Sequence, residues 1–207
     1  ATPTSTNNYV VTLSDGAGSG CSASASSTVT INNPTANAAG PNTVCQSATP
    51  SAITLAGASV GGSATTGAWS IVSGGGTLSN TAQTSNPAAV TYTPAANFNG
   101  TVTLLLTTNQ PSGCTAGTST RTINVTALPS VTITPDYCLG TGQVKLTATS
   151  GSSYLWSTGA TTQFILADLA GAYNVTVTNA SGCAGTATFN LSTELVVNGN
   201  FSSGNTG

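Results

Sequence analysis

The 207 residues include two Lys or Arg, four Asp or Glu and no His, so 3% of the chain is charged, against roughly 25% in ordinary soluble domains. Without His there is no His-based triad, imidazole base or imidazole metal ligand. Two cations cannot form a phosphate-tracking surface, which excludes nucleic acid and anionic membranes as electrostatic partners, and four scattered acids cannot build a carboxylate-rich calcium cage.

The mean hydropathy of +0.16 reflects abundant Ala more than large apolar side chains. The longest aliphatic cluster, Leu104, Leu105 and Leu106, falls far short of the ~20 apolar residues that span a bilayer, so no membrane insertion is expected. The chain opens without the basic and apolar regions of a signal peptide and is expected to be either cytosolic or the product of leader removal.

One three-part pattern is written three times along the chain. Residues 9–13 (YVVTL) lead through a polar turn to Ser-Gly-Cys21 and then SSTVTI. Residues 102–106 (VTLLL) lead to Ser-Gly-Cys114 and STRTINV, and residues 173–177 (YNVTV) lead to Ser-Gly-Cys183 and TATFNL. The front halves repeat as well: residues 43–55 (TVCQSATPSAITL) match 136–146 (DYCLGTGQVKL), and 67–72 (GAWSIV) match 153–157 (SYLWS). The joints fall at Asn33-Pro34 and Leu128-Pro129. Residues 1–33 then form the C-terminal half of a truncated module, 34–128 a complete module, 129–193 a shorter one, and 194–207 the start of another. The chain reads as a window on a longer array.

Within these modules the hydrophobic period is two. Val102, Leu104 and Leu106 alternate with Thr103, Leu105 and Thr107, and Tyr173, Val175 and Val177 alternate with Asn174, Thr176 and Thr178, as in strands with one face in a core and one in water. Turn signals recur every eight to twelve residues or so, the spacing of a β-sandwich. Trp69 and Trp156 lie where an immunoglobulin-like sandwich buries a Trp, and Asp168, Gly171 and Tyr173 set out a tyrosine corner. The larger module keeps part of that corner in residues 97–102 (NFNGTV), with Val102 in the tyrosine's place. The expected fold is all-β: tandem immunoglobulin-like sandwich modules in an elongated array.

Cys45, Cys114, Cys138 and Cys183 occupy matched places, one before the first core strand and one in the late turn, while the partner of Cys21 falls outside the fragment. This usage reads as disulfides in an oxidising, extracellular setting. Pairing within modules, Cys45 with Cys114 and Cys138 with Cys183, is the expectation. In a strict seven-strand order, however, the two loops concerned lie at opposite ends, which leaves Cys45 with Cys183 across the joint as the alternative.

Nothing rises to a catalytic constellation. Asp136 and Asp168 form the one carboxylate pair that could meet, but one reads as a loop residue and the other as part of the corner. Lys145, between Val144 and Leu146, is expected to point outward, and Gly74, Gly75 and Gly76 form a turn with no Lys or helix after them. The few charges are expected at loops, corners and joints. Catalytic residues, metal sites and cofactors are expected to be absent.

Residues 154–162 (YLWSTGATT) and 171–183 (GAYNVTVTNASGC) closely resemble the immunoglobulin-like, PKD-like repeats of giant cell-surface adhesins of Bacteroidota. These include the gliding-motility adhesins of the SprB type exported by the type 9 secretion system. Residues 67–70 (GAWS) and 91–94 (TYTP) are similar to a sister repeat, and 194–207 to the opening of a jelly-roll module. The resemblance implies a non-enzymatic stalk of a secreted adhesin at the outer surface, extending or displaying a binding tip and serving attachment or gliding. The implied partners are neighbouring modules of the same long chain and surface polysaccharide or other surface proteins, while the near-neutral Thr, Ser and Asn surface, with little long-range repulsion, leads to the expectation of laterally associated copies. The alternatives are a subunit of a homopolymeric extracellular filament or surface layer, and a carbohydrate-binding accessory module of a secreted hydrolase.

Overall fold

Alternating Thr, Val and Leu sequences with no long helical period fold as strands, and the computed structural model describes residues 7–14, 22–29, 31–111, 114–139 and 142–192. Cys21 and residues 194–207 lie outside them. In chain order the strands are β1 (Asn7–Ser14), β2 (Ser22–Val29), β3 (Thr35–Asn37), β4 (Asn42–Cys45), β5 (Ile53–Thr54), β6 (Ser59–Gly61), β7 (Gly67–Ser73), β8 (Gly76–Leu78) and β9 (Thr91–Pro94). They continue with β10 (Gly100–Thr108), β11 (Thr118–Thr126), β12 (Ile133–Asp136), β13 (Val144–Ala148), β14 (Ser153–Trp156), β15 (Phe164–Ala167), β16 (Gly171–Thr178) and β17 (Ala184–Leu191). Among the described residues the one helical turn is Pro87–Ala89.

Two apolar cores form. The first lies between a sheet ordered β4-β11-β10-β7 and a second ordered β5-β9-β8, flanked by the β3-β6 pair. Val102, Leu104 and Leu106 of β10, Ile123 and Val125 of β11, Trp69, Tyr92 and Leu55 fill it. The inward residues of β10 fall at every second position, ending on the buried Thr108, whose hydroxyl accepts the Gly117 N–H at 2.9 Å.

The second core lies between β12-β13-β15 and β14-β16-β17 and is filled by Val144, Leu146, Trp156, Ile165, Val175, Val177 and Leu191. Lettered in chain order, these two sheets are ABE and CFG, the strand order of an immunoglobulin sandwich without strand D. The first core repeats that plan with β4 added in parallel to β11. The chain is therefore all-β with immunoglobulin-like strand order around each core.

The hairpin β1-β2 joins neither sandwich. Tyr9, Val10, Val11 and Leu13 are all exposed, Leu13 at 72%.

Candidate functional site

A disulfide and hydrogen bonds between distant parts of the chain lie where the two cores meet. Cys45 ends β4 opposite Thr126 of β11, so it stands at the end of the first core from which the chain leaves. β17 begins opposite Thr178, and Gly185 passes so close to Pro129 that a Cβ there would lie 2.3 Å from the proline carbonyl oxygen. The turn between β16 and β17 therefore stands where the chain enters the second core. There Cys183 is bonded to Cys45, with 5.5 Å between their Cα atoms.

Two amide side chains complete this junction. The Gln46 N–H donates to the Thr126 carbonyl at 2.8 Å, its Nε2 donates to the Asn97 carbonyl at 2.6 Å, and its Oε1 accepts the Leu128 N–H at 3.3 Å. From the other side Asn179 Nδ2 donates to the Ala127 carbonyl at 3.3 Å. Asn179 Oδ1 also accepts the N–H groups of Ser181 and Cys183, each at 3.0 Å, and Gly182 closes the turn at φ +79°, a conformation glycine adopts without a Cβ clash. Both backbone groups of the Ala127-Leu128 linker that these amides reach are thereby satisfied.

This geometry corrects the expected disulfide pairing within modules. β11 is nine residues long, so about 27 Å of strand separates the end holding Cys45 from the end at which Cys114 enters, against a limit near 7 Å for bridging Cα atoms. Cys138 follows β12 and lies at the opposite end of the second core from Cys183. Cys114, half-buried, and Cys138, exposed, are free thiols.

The other residues singled out from the sequence hold the sandwiches together. Trp69 and Trp156 are almost fully buried, and their indole N–H groups donate to the carbonyls of Pro87 at 3.0 Å and Thr162 at 2.9 Å, so neither carries an unsatisfied donor into the core. At the start of β16 the Tyr173 hydroxyl donates to the Leu169 carbonyl at 2.8 Å, while Gly171 takes φ +156° and Asp168 is exposed. Lys145 lies between buried neighbours and sets its ammonium 4.4 Å from the centre of the Phe164 ring.

Two interior polar residues escaped the sequence reading. Tyr92 is fully buried on β9; its hydroxyl donates to the Gly75 carbonyl, and burial raises its pKa above the ordinary tyrosine value. Arg121 corrects the expectation that charges keep to loops, corners and joints. It is 6% exposed, with Nε and Nη2 on Asn42 Oδ1 at 2.9 and 2.5 Å. Its Nη1 donates to the carbonyls of Ala56 at 3.0 Å and Ala38 at 3.4 Å. Burial lowers its pKa from the usual guanidinium value. The signal was present in STRTINV, where Arg121 shares the phase of Ile123 and Val125.

Asp136 and Asp168 are not drawn together around a cleft. Asp136 Oδ1 accepts the Cys138 N–H at 3.0 Å, and β13 separates its strand from β15, about 10 Å or two strand spacings away. A groove of about 250 Å³ beside Cys45 runs past Val44, Ser47, Pro50, Ile53 and Pro94 and is lined by no acid or base. Among the described residues no group of three or more His, Cys, Asp or Glu could hold a metal ion, and no helix is long and apolar enough to cross a membrane.

No protein-family pattern matches the chain, and no curated protein matches it. Among solved structures it is similar to the titin domains Z1Z2 in complex with telethonin (16% identity, 77% of this chain and 95% of that one, TM-score 0.36). It is similar also to the four N-terminal immunoglobulin domains of Dscam1 isoform 9.44 (15% identity, 79% and 46%, TM-score 0.34) and to the D0-D1 domain of intimin (16% identity, 76% and 97%, TM-score 0.30). At TM-scores of this size the assignment of the fold rests on strand order and on the Tyr173 corner.

Proposed function

We propose that this chain is a non-enzymatic stalk segment of a secreted surface adhesin, made of tandem immunoglobulin-like units. The observation that carries the reading is the Cys45–Cys183 bond together with the pinned linker at Ala127 and Leu128. The leaving end of one core is fastened to the entering end of the next by a covalent bond and by hydrogen bonds from both sides. A connection of that kind limits hinge motion where ordinary interdomain contacts permit it, which suits reach and transmission of force more than catalysis.

A disulfide belongs to an oxidising compartment, and residues 154–162 and 171–183 carry the resemblance to the adhesin repeats noted above. On this reading the neighbours of each unit are further units of the same protein, and the ligand, a surface polysaccharide or another surface protein, is met elsewhere on the stalk.

Immunogold microscopy of intact cells with an antibody raised against the 207 residues tests it. Labelled, irregularly spaced fibres projecting from unpermeabilised cells are expected. Label only after permeabilisation overturns the surface location, and a regular helical polymer of copies replaces the single-chain stalk with a filament.

A further inference from the structure

Each core carries one cysteine at either end. At the entering end, Cys114 precedes Gly117, whose Cβ would lie 2.5 Å from the Pro34 carbonyl oxygen, as Cys183 precedes Gly185 against Pro129. At the leaving end, Cys45 closes β4 beside Thr126. Cys138 follows β12, the strand that starts near Gly185 and packs along β17. Where the cores meet, leaving-end Cys45 is bonded to entering-end Cys183. Among the described residues the two thiols left over, Cys114 and Cys138, are the ones at the outer ends.

We infer that Cys138 is the attachment point for the entering-end cysteine of a following unit of the same kind, and Cys114 for the leaving-end cysteine of a preceding unit. Every junction then carries the bond found between Cys45 and Cys183. The inference rests on the tandem-unit reading above. The partner is defined by its chemistry: a cysteine in a Ser-Gly-Cys turn between the last two strands of a sandwich, brought up to the leaving end as the Asn179 turn is brought up to Cys45.

Each bond forms by exchange with an oxidised dithiol carrier. The Cys138 thiolate attacks the carrier disulfide, giving a mixed disulfide and one carrier thiol. The partner thiolate then attacks the Cys138 sulfur and releases the second carrier thiol. Two protein thiols lose two electrons and two protons, and the carrier leaves as the dithiol that gained them.

The mechanical consequence follows from the pairing order. A bond from unit one to the late turn of unit two encloses Cys138, whose own bond leads on to unit three, so successive disulfide loops overlap. Tension passes from an entering-end cysteine along the backbone to the next leaving-end cysteine and across a disulfide, bypassing the rest of each sandwich. The backbone from Cys114 to Cys138 is about 24 residues, roughly 80 Å when taut. That is the free length per step of such a track, even with the strands pulled apart.

Peptide mass mapping of the full-length protein, taken from its native surface and blocked with N-ethylmaleimide before digestion without reductant, tests the assignment. The expected result is a Cys45–Cys183 peptide plus Cys138 joined to a Ser-Gly-Cys peptide of another unit. A non-reducing gel tells whether that unit belongs to the same chain, as the pairing requires, or to a second copy, which overturns it. A Cys138 maleimide adduct, a mixed disulfide with a small thiol, or a bond from Cys138 to Cys21 or Cys114 overturns it. Free thiols on a protein that still labels as surface fibres would remove the overlapping bonds and leave the stalk standing. Absence of surface fibres removes the stalk itself.

Discussion

Gly185 lies against Pro129 with no room for a side chain: a Cβ would approach the proline carbonyl oxygen to 2.3 Å, and Gly117 stands in the same relation to Pro34 at 2.5 Å. In both cases the strand after the late turn begins by crossing the incoming chain backbone to backbone. Gly185→Ala is expected to displace that crossing and cost about 1–3 kcal/mol, as overpacking of a well-filled site does, with Gly117→Ala similar. Urea unfolding measures it. Midpoints equal to that of the unsubstituted protein would show that the close approach has no part in holding the chain at the point where it enters each sandwich.

Cys45 and Cys183 are 138 positions apart, and in the chain-entropy picture a loop of that size contributes about 5 kcal/mol when everything inside it unfolds together. Cys45→Ser is therefore expected to lower the melting temperature by several degrees and to speed hydrogen exchange at the amides of Leu128 and Cys183. Cys138→Ser, at an exposed free thiol, is expected to leave both unchanged in the isolated 207-residue chain. Coincident melts of the Cys45→Ser and unsubstituted proteins would count against a stabilising role for the junction.

The strands were legible because their signal is local. Val102, Leu104 and Leu106 announce their inward face by spacing alone, and Trp69, Trp156 and Tyr173 are large enough that each has one plausible place in a sandwich. The disulfide was legible only as the alternative, Cys45 with Cys183 across the joint, because spacing alone does not decide which end of a sheet a turn occupies. That depends on the parallel pairing of β4 with β11, a contact across some eighty residues. Gln46 and Asn179 were hidden for the same reason: each is one amide among many, and its role comes from partners far away in sequence, Leu128 and Ala127. Arg121 differs, since its inward phase is readable in the alternation with Ile123 and Val125, while the cost of burying a charge points the other way until its oxygen partners are known.

Tyr92 gives the fold an alkaline limit. Burial raises its pKa above the ordinary value of about 10, so the folded protein keeps the phenol protonated at a pH where the unfolded chain has begun to lose it. Its contribution is complete below the unfolded pKa and falls as pH rises toward the folded one. Tyr92→Phe is expected to cost about 1 kcal/mol near neutral pH, through the unpaired Gly75 carbonyl, and to flatten the decline in stability above pH 10. Equal slopes of stability against pH in the two proteins would refute the assignment.

Arg121 is held by neutral oxygens only in the contacts it makes: the Asn42 amide and the carbonyls of Ala38 and Ala56. It binds β11 to the chain before β4 and to the segment after β5, so one guanidinium ties three stretches of backbone around the first core. Arg121→Met keeps much of the apolar stem but strands these oxygens, and a cost of about 2–4 kcal/mol is expected from their burial without partners. Arg121→Lys restores the charge but not the planar fork that reaches several oxygens at once, so it is expected to recover only part of that loss. Lys145→Ala, which removes a cation above an exposed ring, is expected to cost under about 1 kcal/mol. A double-mutant cycle of Arg121→Met with Asn42→Ala in urea separates the pair from its surroundings. Strict additivity would mean that the guanidinium acts through its stem, and a coupling of about 1 kcal/mol or more would place its stabilising role in the hydrogen-bonded fork.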